Sequence, residues 1–150
     1  SEIQKKSIDQ LKVAERTTCF FGTITMGYSE SKGESLQNSI LIRKGDAIPC
    51  EVKDTFVTMH DGQEVIGVAI TESKAPETDP RFVKVIHEED MELPPDRPAG
   101  QEIEVTYAYD ENQMMLATFK DVSSGRETQI SLSQASKGED SSDIDKFLVD

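Results

Sequence analysis

The chain has 150 residues, with 16 Lys and Arg against 29 Asp and Glu, a formal charge of −13. That balance argues against a nucleic-acid binder, which needs a basic face to neutralise phosphates, and against docking on anionic lipid. Hydrophobic residues are 35%, aromatics 6% and Trp is absent, so a single domain of this length must build its core mainly from aliphatic side chains.

No run of about 18 apolar residues exists, so no transmembrane helix is expected. The polar start, Ser1-Glu2-Ile3-Gln4-Lys5-Lys6, leads into no apolar core and does not read as a secretory signal. Cys19 and Cys50 are too few for a disulfide framework or a zinc cluster. They read as reduced thiols of a cytoplasmic protein. His60 and His87 make no metal site on their own.

Residues 1–16 are charged, with Ile3, Ile8 and Leu11 on a broken stripe, and read as a short helix or tail. Residues 17–21 and 23–26 are rich in β-branched and aromatic residues and predict a strand. Residues 27–39 are polar and read as a loop. Ile40-Leu41-Ile42 is a short strand, followed by a turn through Pro49. Residues 51–59 and 64–71 are strands. Asp61-Gly62 between them predicts a hairpin, because a tight turn requires positive φ. Residues 72–80 form an exposed connection, and residues 81–86 a strand. Residues 88–100, acidic and holding Pro94, Pro95 and Pro98, read as a rigid loop.

The clearest period lies in residues 102–109. Ile103, Val105, Tyr107 and Tyr109 face one way, and Glu104, Thr106 and Ala108 the other, as in a half-buried strand. Residues 114–119 and 128–132 are the last strands, each preceded by a turn. About eight short strands with regular turn signals predict an antiparallel β-sandwich or barrel over residues 17–133. Residues 134–150 form a linker and the start of a helix, where Ser142 and Asp145 make a capping box.

Nothing in the chain announces catalysis. There is no Walker A or GxGxxG pattern, and no His stands near a Ser or Cys nucleophile. Acidic pairs such as Glu88-Glu89 and Glu102 with Glu104 are expected by chance among 29 acids, although some sandwiches use paired carboxylates on glycosides. The absence of Trp counts against a sugar-binding face. Pattern alone therefore predicts an all-β binding domain that is not an enzyme.

The second half carries a resemblance. Gly100-Gln101-Glu102-Ile103-Glu104-Val105-Thr106-Tyr107, then Asp110-Glu111-Asn112 and Met115-Leu116-Ala117, resembles the "PxIEVTFDIDxNGILxVSA" stretch of the seventy-kilodalton heat-shock chaperones of the DnaK type. Lys120-Asp121-Val122-Ser123-Ser124-Gly125-Arg126-Glu127 is similar to that family's "D-x-x-T/S-G-K/R-E" turn. Ile130-Ser131-Leu132 is similar to its last strand. Ile48-Pro49 with Thr55-Phe56-Val57-Thr58 resembles "TTIPTKKSQVFST", and Thr25-Met26-Gly27-Tyr28 resembles "LSLGIE". Residues 142–150 resemble the opening of the family's lid helix. The resemblance runs from about residue 23 to 150 in the family's own order.

The departures mark a divergent member. Gln113 takes the place of a turn Gly, and Tyr28 that of an Ile. Glu72-Ser73-Lys74 replaces "GER". Residues 1–22 match neither the ATPase domain nor its linker.

The resemblance implies an eight-stranded sandwich that binds extended hydrophobic segments of unfolded client proteins under a helical lid. An ATPase domain, with ATP as its cofactor, and co-chaperones belong to the family. This chain carries no ATPase domain and no cofactor of its own, and is expected to bind peptide without ATP control. Carried over by position, Phe56, Ile66, Val68 and Ile103 line the central apolar pocket. Tyr28 lines it from the first strand and would narrow it. Met59 and Ser31 take the two arch positions. Backbone groups of Gly27, Ser29 and Thr58 hydrogen-bond the peptide, a sequence-tolerant mode. The −13 charge adds a preference for basic flanks. The competing reading is an adaptor sandwich that keeps the fold and binds one specific partner protein.

Overall fold

The computed structural model describes residues 15–31 and 33–133. The described residues form an antiparallel β-sandwich of eight strands: β1 (Phe20–Ser29), β2 (Gly33–Ile42), β3 (Cys50–Val57), β4 (Val65–Ser73), β5 (Lys84–Glu92), β6 (Glu102–Tyr109), β7 (Met114–Asp121) and β8 (Glu127–Ser133). One sheet has the order β2-β1-β4-β5 and the other β3-β6-β7-β8. Among the described residues no helix is long and apolar enough to cross a membrane. The expected helical segments at residues 1–14 and 134–150 lie outside the described residues.

The alternation read from residues 102–109 has a direct physical outcome. Ile103, Val105, Tyr107 and Tyr109 are all buried, and β6 is an interior strand between β3 and β7. Its inward residues meet Val68 and Ile70 of β4, Ile42 of β2 and Phe119 of β7 in one core. Phe21 stacks obliquely on Tyr109 at 5.6 Å, and Tyr107 meets Phe119 edge-on at 6.2 Å, both within the favoured range for ring pairs.

Three expected elements differ. Residues 27–39 are not a loop: β1 and β2 pair through this region, from Phe21–Ile42 out to Ser29–Gly33. The outer half of the ribbon is largely solvent-exposed, so burial imposes no apolar alternation for a sequence reading to detect. Hydroxyl pairing helps hold it, with Thr25 Oγ1 and Ser39 Oγ 2.6 Å apart.

Residues 60–63 do not close a hairpin, although Gly62 has the expected positive φ of 70°. β3 pairs with β6, and β4 pairs with β1 and β5, so this turn carries the chain from one sheet to the other. The third difference is β5. Residues 80–82 form a 3₁₀ turn capped by the Asp79 carboxylate, and the strand runs on to Glu92. It is an edge strand, which lets Glu88, Glu89 and Asp90 stay exposed while Met91 is buried. Charged side chains also protect an edge from unwanted pairing.

Upstream of β1, residues 15–17 fasten to the turn before β3. Thr17 N–H donates to Asp46 O at 2.9 Å, and its hydroxyl donates to Arg43 O at 2.6 Å.

Candidate functional site

The site begins where β1 leaves β4. Their ladder holds only Phe20–Ser73, Phe21–Glu72 and Gly22–Thr71. β1 nevertheless continues to Ser29, and β4 begins at Val65. The two strands therefore part beyond Gly22 and Thr71, and the β1–β2 ribbon stands off as a two-stranded arm.

The parting opens a cleft of about 550 Å³, within the usual range for ligand sites. The floor reaches Ile103, Val105 and Phe119, all core residues. β3 supplies Thr55, Phe56 and Val57, and β4 supplies Ile66 and Gly67. The ribbon supplies Thr23 through Tyr28 together with Glu34 and Leu36. Met26 lies opposite Leu36 in register, and both are exposed, at 41% and 58%. An apolar cross-strand pair is thus held against water at the rim. Glu34 is the charged residue among the described residues that line the cleft.

Two supports fix this geometry. The first is Tyr107, whose hydroxyl donates to Gly22 O at 2.7 Å across the sandwich. It pins β1 at the last position paired with β4. Burial raises the phenol's pKa above its ordinary value, and its hydrogen bond with Thr23 opposes that shift.

The second support is a brace behind Met59. Asp121 is fully buried and accepts from Arg97 Nη1 at 3.1 and 2.9 Å. This ion pair fixes the connection between β5 and β6. That connection then holds the turn between β3 and β4: Gly62 N–H donates to Arg97 O at 2.6 Å, and Ala99 N–H donates to the Asp61 carboxylate at 2.8 Å. Inside the turn, the Gln63 side chain accepts from Met59 N–H at 2.9 Å and donates to Val65 O at 3.0 Å.

Of the residues predicted from sequence, Gly27, Tyr28, Phe56, Met59, Ile66 and Ile103 all line this one cleft. The others do not. Val68 is 0% exposed and belongs to the core; it shares the inward face of Ile66 but sits two residues nearer to Thr71, where β4 pairs with β1. Thr58 is spent on the fold: its N–H donates to Gln101 O and its C=O accepts from Gly100 N–H, each at 2.9 Å. Ser29 closes the β1–β2 ladder opposite Gly33, and Ser31 is exposed in the turn beyond it. Ser31 is not among the described residues that line the cleft. Tyr28 is 77% exposed, so its ring stands at the rim and does not narrow the interior.

Leu36, Glu34 and Gln63 were missed. An isolated Leu among Ser35, Gln37 and Asn38 was the available signal for Leu36. Glu34 and Gln63 gave none, since both depend on which segments the fold brings together. No protein-family model matches the chain.

Proposed function

We propose that this chain is the peptide-binding domain of a divergent seventy-kilodalton heat-shock-type chaperone. Its ligand is an extended hydrophobic segment of an unfolded client, and it acts as a binding module rather than an enzyme. The observation that carries this reading is the convergence of Gly27, Tyr28, Phe56, Met59, Ile66 and Ile103 on one open apolar cleft. All six are positions that the resemblance implies. They lie on β1, β3, β4 and β6 and in the turn after β3.

The chemistry of the cleft suits such a ligand. Apolar side chains of the client enter towards Phe56, Ile103 and Phe119, each fully buried one contributing about 1.5–3 kcal/mol. Backbone groups of β1 beyond Gly22 are not paired with β4 and can hold a client main chain without reading its sequence. Met26 and Met59 give the rim adaptable contacts. A reducing, cytoplasmic setting belongs with this reading, since Cys19 and Cys50 are free thiols.

Fluorescence anisotropy with a labelled Leu-rich heptapeptide tests the proposal. Micromolar binding is expected, and a charge at the rim, Met59→Glu, or in the wall, Phe56→Glu, abolishes it. Thermal melting of Met59→Glu separates lost binding from lost folding, because Met59 is 38% exposed. Absence of peptide binding by the parent, with one folded protein captured instead, would establish the adaptor reading. The exposed Tyr28 ring is the feature that favours that alternative.

A further inference from the structure

The strongest unexplained residue in the cleft is Gly67. It lies in the interior of β4, opposite Asp90 of β5, where a glycine weakens a strand. Seven other glycines are described. Five of these (Gly33, Gly45, Gly62, Gly100 and Gly125) have positive φ. Of the other two, a Cβ at Gly22 would collide with the Ser39 carbonyl, and one at Gly27 would displace the end of the Gln37 side chain. Gly67 has neither reason. Its φ is not in the left-handed region, and a Cβ built on it meets nothing within 4 Å. Neighbouring β4 residues are Val65, Ile66, Val68 and Ile70, all good strand formers. The described residues therefore leave room for a side chain at position 67 and do not explain its absence.

Two facts place an explanation outside the protein. Gly67 is exposed, and it lines the cleft. It lies four residues before Thr71, on the stretch of β4 that has lost its pairing with β1. A strand glycine commonly marks close approach by a ligand or another backbone. Here the adjacent strand has moved away, so no backbone among the described residues makes that approach.

Resting on the peptide-binding reading, we infer that Gly67 is a specificity-determining position that lets the main chain of an extended peptide pass directly over its Cα. The peptide enters the opening between β1 and β4 and does not merely lie across the rim. Position 67 then selects for main-chain proximity. A β-branched residue there holds the ligand off, and the ligand's side chains lose depth in the pocket below.

Gly67→Ala and Gly67→Val test this, each read by thermal melting and by anisotropy with the labelled Leu-rich heptapeptide. Both variants are expected to melt at or above the parent temperature. Gly67→Val should weaken peptide affinity at least tenfold, and Gly67→Ala by a smaller factor. Binding by Gly67→Val within twofold of a binding parent overturns the inference alone. A melting temperature lowered by several degrees in both variants also overturns it, because the glycine would then serve the fold. A parent that binds no peptide overturns the peptide-binding reading itself, and this inference with it.

Discussion

At the scale of single residues, Tyr107 joins stability to the site. It is 0% exposed, and its hydroxyl satisfies Gly22 O at the point where β1 departs from β4. Tyr107→Phe keeps the ring but leaves that carbonyl without its donor, which costs about 1–3 kcal/mol. The contribution depends on pH with a definite sign. Burial holds the folded phenol's pKa above its ordinary value. An unfolded tyrosine ionises near pH 10. As pH rises past that point, the unfolded state gives up its proton first, and stability falls. Below about pH 9 the contribution is complete. Urea denaturation of parent and Tyr107→Phe from pH 8 to about pH 11 should show their stability difference shrinking above about pH 10. A difference that stays constant would contradict the assignment.

At the scale of elements, the connection between β5 and β6 does more than span two sheets. Its proline content was legible, and the structure begins it at Leu93, after β5 ends at Glu92. Its role was not legible, because Arg97 and Asp121 are 24 residues apart in sequence. Removing one partner strands the other: Asp121→Ala should cost about 3–5 kcal/mol, whereas replacing both Arg97 and Asp121 with apolar residues of similar size should cost much less. Chemical denaturation of the single and double variants checks this. Equal losses would mean that the packing matters and the charge pair does not.

The ribbon of β1 and β2 teaches the complementary lesson. Gly33, Ser35, Gln37 and Ser39 look like loop residues, yet they lie in a ten-residue strand. Strand patterns are written by burial on one face, and the outer ribbon has little of it. Leu36 and Glu34, part of the candidate site, were hidden by that same lack of pattern.

At the scale of the whole molecule, charge and cleft act together. The chain carries a net charge of −13, and Glu34 lines the apolar opening. Peptides with Lys or Arg beside an apolar centre should associate faster and bind more tightly than neutral-flanked ones. Screening shortens the reach of that attraction, from about 10 Å at 0.1 M salt to about 3 Å at 1 M. Affinity for a Lys-flanked Leu-rich peptide should therefore fall severalfold between about 50 and 500 mM salt, while a neutral-flanked peptide changes little. Anisotropy titrations at both concentrations decide it; the same affinity for the basic peptide at each would rule the account out.

The sequence by itself determined the class of fold and the inward face of its clearest strand. Period-two alternation in residues 102–109 reports local burial, and local burial is written residue by residue. It also set the surface charge and, through the resemblance, six residues of the cleft. Tertiary structure alone decided the rest. Whether the chain turns back or crosses at Asp61-Gly62 depends on which strands already neighbour β4, and no local pattern encodes that. Val68 and Ile66 share one face of β4, yet only Ile66 lines the opening, because it lies farther from Thr71, where β1 and β4 are still joined. The length and charge described a small acidic domain. The parting of two strands beyond Gly22 and Thr71 is what opens an apolar cleft in that domain.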